Sequence, residues 1–191
     1  MPKFIYENLA VSVEFEIHQL ITTIDPPSPV RTRYKRFLDW KASLHSKPCG
    51  VYAYTFYSKQ GQPQGIPGPS GDSAGKPGEV VGVACKFRLS MSIIELLTQL
   101  SLALAALDKP ICDRFRGNVM ATKKEWGVLD AEDRCETQCF IGIFVLVNVF
   151  TDEHVDDNDV LDGWAAMAVL GKFNGAPLYI PELRVKIAHQ R

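Results

Sequence analysis

Residues 152–162 gather Asp152, Glu153, Asp156, Asp157, Asp159 and Asp162 into one short stretch. Carboxylates at such density suit a hard cation such as calcium. An EF-hand loop needs ligands at alternating positions, glycine at the sixth and glutamate at the twelfth. Counting from Asp152 puts Asp157 at the sixth place, and counting from Asp157 puts Asp162 there. Neither frame fits. The favoured reading is a solvated strand-to-helix connection whose carboxylates complement the N-terminus of the next helix.

Thiols and imidazoles are the next source of chemistry. Cys135-x-x-x-Cys139 with His154 suggests zinc, but structural zinc sites pair two tight ligand clusters and the second is missing. His18, His45, His154 and His189 are scattered. Free cysteines in and beside a core strand account better for the pair. A cysteine nucleophile needs a base held against it by the fold, and no signature marks one. The sequence contains no G-x-S-x-G, no G-x-x-x-x-G-K-[ST], no H-E-x-x-H and no G-x-G-x-x-G after a strand. Glycines between residues 61 and 78 alternate with prolines, which lack the N–H groups of a phosphate cradle. The reading is of no catalytic residues, no metal, no cofactor and no small-molecule substrate.

The elements behind these residues point to one α+β domain over residues 1–191. Its expected core is a mainly antiparallel sheet packed on two or three helices. A chain of 191 residues can bury a sizeable core. Leu9, Val11, Val13, Phe15 and Ile17 alternate with Ser12, Glu14 and Glu16, which predicts a half-buried strand over 9–17. Asp25-Pro26-Pro27-Ser28-Pro29 stops it. Ser28 and Pro29 open a helix to about Leu44, striped by Val30, Tyr34, Phe37 and Leu38. Val51–Tyr57 and Val80–Leu89 read as strands joined by a flexible Gly/Pro/Ser loop over 60–78. Irregular glycine steps exclude a collagen triple helix there.

Ser92-Ile93-Ile94-Glu95 matches a capping box for a buried helix ending at Leu107, with Asp108-Lys109-Pro110 as its stop. Its apolar face holds Ile93, Leu96, Leu97, Leu100, Leu104 and Leu107. Residues 111–134 have no clear pattern. Residues 138–150 form the most hydrophobic strand candidate, expected at the centre of the sheet. A short helix over 160–170, a turn over 171–177 and a last strand over 183–187 complete the chain.

Charge limits the partners. A formal net charge of −1 gives no global basic field for nucleic acid, so any such binding needs a local patch. Arg31, Arg33, Lys35, Arg36 and Lys41 supply one, with Tyr34, Phe37 and Trp40 interleaved and Asp39 alone opposing. Such a helix can lie on phosphates of RNA or on anionic lipid. The rival account is an ordinary amphipathic helix with a solvated charged face. Glu14 and Glu16, on the predicted strand, offer a docking point for a neighbouring subunit's basic helix. Five cysteines, an odd number, and the start Met1-Pro2-Lys3-Phe4 without a secretory apolar run predict a reducing, intracellular setting. The run from Phe140 to Phe150 is too short to span a bilayer as a helix.

Phe140-Ile141-Gly142-Ile143-Phe144-Val145-Leu146-Val147-Asn148-Val149-Phe150-Thr151-Asp152-Glu153, with Trp164 downstream, resembles a stretch of the matrix proteins of rhabdoviruses. Tyr6-Glu7 leading into the predicted first strand is a second likeness, and the order of elements is a third. Pro26-Pro27-Ser28-Pro29 differs from the P-P-x-Y late-domain motif of that family. The resemblance implies a non-enzymatic viral structural protein, present in host cytoplasm or nucleus and in the virion. Such a protein would form homo-oligomers and contact a nucleoprotein, RNA or a membrane surface. It assigns no functional residue. Two alternatives stand beside it: a nucleic-acid-binding accessory protein, such as a silencing suppressor or movement factor, and a small enzyme or ligand-binding domain with a motif-free site.

Overall fold

The computed structural model describes residues 3–26, 48–57, 68–69, 90–126, 137–140, 142–149, 163–171, 178–180 and 183–187. The fold is α+β, with three helices and small antiparallel sheets among these residues.

The first element overturns the sequence expectation. Residues predicted as a strand over 9–17 lie inside helix α1, Lys3–Thr23. Val13 and Leu20 are buried, and Leu9, Ile17, Ile21 and Ile24 pack partly buried beside them. Those steps of four, four, three, one and three trace one side of a 3.6-residue period. Leu9, Val13 and Ile17 serve a helix as well as they serve a strand. The tie is broken further on, where Leu20, Ile21 and Ile24 continue at helical spacing and Gln19 interrupts alternation. Val11 and Phe15, core residues on the strand reading, stand 64% and 59% exposed. The Thr22 and Thr23 hydroxyls donate to carbonyls of His18 and Gln19 in the last turn.

Strand β1, Gly50–Tyr54, follows where an aromatic strand was expected, and β2, Phe56–Tyr57, continues it. β3, Gly68–Pro69, pairs antiparallel with β2, Phe56 opposite Pro69, so these two residues of the expected 60–78 loop are strand-paired. Helix α2, Met91–Leu107, ends at the predicted residue but begins one residue before Ser92. Ser90 is its cap: the hydroxyl accepts from the Ile93 N–H at 3.4 Å. Glu95 does not close a box; its carboxylate accepts from Gln99 Nε2 at 2.7 Å.

Asp108-Lys109-Pro110 is a junction rather than a stop. The Asp108 N–H donates to Leu104 O at 2.7 Å, closing α2. Its carboxylate accepts from the Ile111 N–H at 3.2 Å, opening α3, Lys109–Trp126. Proline in the first turn lacks only an N–H that would have no helical partner there. Residues 111–126 of the unplaced segment are thus helix.

β4, Ile143–Val147, pairs antiparallel with β1, setting Tyr52 opposite Val145 and Gly50 opposite Val147. Tyr52, Tyr54, Val145 and Val147 are buried with Val13, Leu20, Ile93 and Leu97 to form the main core. The rings of Tyr52 and Tyr54 stack at 5.9 Å between centroids. The Tyr52 hydroxyl donates to Ile24 O and ties this sheet to the end of α1. β4 was expected at the sheet centre. Among the described residues β1 is its one partner, and Phe144 and Leu146 are exposed. An apolar run with one buried face fits an antiparallel strand covered on one side, not a parallel strand buried on both.

Gly142 precedes β4 because a Cβ there would sit 2.3 Å from Thr55 Oγ1 and 2.8 Å from Thr55 Cβ. Asn148 ends the strand with φ 47°, a left-handed conformation that asparagine tolerates, and its Nδ2 donates to Pro48 O at 2.8 Å.

The helix expected over 160–170 is absent from its described part: residues 163–170 have no regular structure. Leu170 packs against the main core, and Gly171, at φ 95°, donates its N–H to Glu14 Oε1 at 2.9 Å. β5, Leu178–Ile180, and β6, Val185–Ile187, pair antiparallel, which places the expected last strand.

Candidate functional site

The predicted cationic contact, Arg31, Arg33, Lys35, Arg36 and Lys41, lies outside the described residues, as do the acidic run 152–162, Cys85, Cys135, His45, His154 and His189. His18 is exposed on α1. Glu14, offered as a docking carboxylate on a strand, is a helical residue engaged by Gly171. No group of three or more His, Cys, Asp or Glu side chains that could hold a metal occurs among the described residues. No described helix is long and apolar enough to cross a membrane.

Two features that sequence reasoning missed occupy the described surface and interior. The first is apolar and outward. Register sets Val51 opposite Leu146 and Ala53 opposite Phe144, so these four side chains share the face of β1–β4 that turns from the core. Phe144 is 58% exposed and Leu146 48%. Val11 and Phe15 form a second exposed apolar pair, four residues apart on one side of α1. Strict alternation over 143–147 would have revealed the outer face only if one side were polar; with both sides apolar the sequence hides it.

The second feature is a buried thiol node between α2, α3 and the segment entering β4. Ser101, Cys112 and Cys139 are buried, and Leu104 packs with both cysteines. The Ser101 hydroxyl donates to Leu97 O at 2.7 Å and accepts from the Cys139 N–H at 3.0 Å. The Cys112 thiol donates to Ser101 O at 3.7 Å. One helical residue thereby holds both cysteines. Burial pushes the Cys139 thiol above its usual pKa; the neighbouring Ser101 hydroxyl opposes this and the Cys112 thiol adds to it. Arg116 reaches in from the surface, Nη2 3.8 Å from Cys112 Sγ and Nη1 3.3 Å from Asp113 Oδ1. Arg116 Nε is buried without a hydrogen-bond partner, as is Gln138 Nε2. Ser101 was the available signal: a hydroxyl at 101 on a stripe of 93, 97 and 104 must find a buried partner.

Asp113, at the solvent edge, has its carboxyl held below the usual range, chiefly by a hydrogen bond from Lys109. Cys49, Cys112 and Cys139 are free thiols, each buried.

Comparison with protein-family models, curated proteins and solved structures gives no match to this chain.

Proposed function

We propose that this chain is a non-enzymatic, matrix-like assembly protein that self-associates and contacts an anionic partner. The observation that carries the reading is the outer face of β1–β4. Phe144 and Leu146 on β4 stand exposed, with Val51 and Ala53 beside them. A contiguous apolar face on water is the mark of an interaction surface. Light scattering over a concentration series tests it. Mass should rise above the 21.3 kDa of one chain as concentration increases. A strict monomer at high concentration and low salt removes the reading.

The anionic contact is assigned to Arg31, Arg33, Lys35, Arg36 and Lys41, on their crowding in the sequence. Each phosphate neutralised releases counterions, so retention of RNA should weaken steeply with salt. Reversing charge at Arg33 and Arg36 should abolish it. Unchanged retention excludes these cations as the contact. Salt-dependent RNA retention by a chain that stays monomeric would favour the accessory-protein alternative.

A further inference from the structure

We propose that Cys112 and Cys139 are a disulfide-forming pair that hydrogen peroxide oxidises, stapling α3 to the segment that enters β4. The inference is independent of the assembly reading. It rests on three placements. The two cysteines are buried and pack in one cluster with Leu104. Ser101 fixes both, taking the Cys139 N–H on its hydroxyl and the Cys112 S–H on its carbonyl. A disulfide needs close, converging side chains, and a shared anchor removes the freedom that would let them part. Third, Arg116 runs from the surface to Cys112 Sγ with its side chain 35% exposed, so water and small solutes come within one guanidinium of the sulfur.

Cys112 reacts first, because Arg116 Nη2, 3.8 Å from its sulfur, links it to the surface. The Cys112 thiolate displaces hydroxide from peroxide. The O–O bond breaks, a sulfenic acid forms, and the hydroxide takes up a proton as water. Cys139 sulfur then attacks the sulfenic sulfur. The S–O bond breaks, and the leaving hydroxide departs as water with the Cys139 proton. Two thiols and one peroxide give one disulfide and two waters. The bond closes the chain between 112 and 139, which restricts the unfolded state. A thiol reductant reverses it.

The full chain, reduced and then treated with hydrogen peroxide, should yield a cross-linked peptide joining Cys112 to Cys139 in a non-reducing digest. Cleavage after Glu136 separates Cys139 from Cys135. The urea midpoint should move upward on oxidation and return with dithiothreitol. Cys139→Ala should lose both the cross-link and the shift, whereas Cys49→Ala should keep both. Should Cys139→Ala fail to fold, the digest of the parent chain decides alone. Cys112 and Cys139 both recovered as free thiols while the chain is oxidised elsewhere, or Cys139 joined to Cys49, Cys85 or Cys135, overturns the pair.

Discussion

The indole of Trp164 donates to Asp108 Oδ2 at 3.1 Å while the other oxygen of that carboxylate accepts from the first turn of α3. Asp108 thus ends one helix, starts the next and anchors an irregular strand of chain from 56 residues away.

Asp108→Ala should destabilise the chain by about 1 kcal/mol, the usual worth of an N-cap. Asp108→Asn keeps an acceptor for the cap and should lose less. Urea unfolding followed by circular dichroism measures both. In Asp108→Ala the Trp164 fluorescence should also shift, since its N–H partner is gone; an unmoved spectrum would mean the indole contact has no weight in solution.

Helix α1 makes a sharp claim at four positions. Val13→Ala and Leu20→Ala empty buried sites and should cost roughly 1–4 kcal/mol. Val11→Ser and Phe15→Ser should stay within about 0.5 kcal/mol in either direction, as exposed substitutions do. A strand over 9–17 would make Val11 and Phe15 as sensitive as Val13.

That contrast shows where the sequence was legible. β1 and the last strand could be read because aromatic or alternating runs had no helical counterpart, and the Leu107 end of α2 because Asp108-Lys109-Pro110 follows it. Leu9–Ile17 satisfies both periods over nine residues, and only packing by Leu20, Ile21 and Ile24 decides between them. The start of α2 was misread because Ser92-x-x-Glu95 mimics a box, while Ser90 caps with an apolar Ile93 at the third position. Leu107, expected on the buried face of α2, is 75% exposed. The thiol node joins Ser101, Cys112 and Cys139 across separate elements, and nothing local encodes such a meeting. Tyr52 reaching Ile24 is of the same kind.

Gly142→Ala should destabilise the chain by about 1–3 kcal/mol, because the new methyl meets Thr55 Oγ1 and Cβ. Adding Thr55→Gly removes both obstructing atoms and should restore part of the loss. A double-mutant cycle in urea reads the coupling. Equal, additive losses would place the two residues apart.

Stability should depend on pH at both ends of the scale. The Asp113 carboxyl is lowered in the folded chain, so its contribution is present above the unfolded value and is lost as pH falls through the folded one. The Cys139 thiol is raised, so stability declines as pH climbs past its usual value of 9.0 toward the higher folded value. Asp113→Asn should flatten the acid limb and Cys139→Ala the alkaline limb of the unfolding midpoint plotted against pH.

Sedimentation velocity of the parent chain beside the double variant Phe144→Thr, Leu146→Thr tests the assembly surface most directly. Threonine keeps strand propensity while removing the exposed apolar face. The parent should sediment faster as concentration rises, and the variant should stay a monomer with an unchanged circular dichroism spectrum. A folded variant that associates as strongly as the parent would contradict assembly through the outer face of β1–β4.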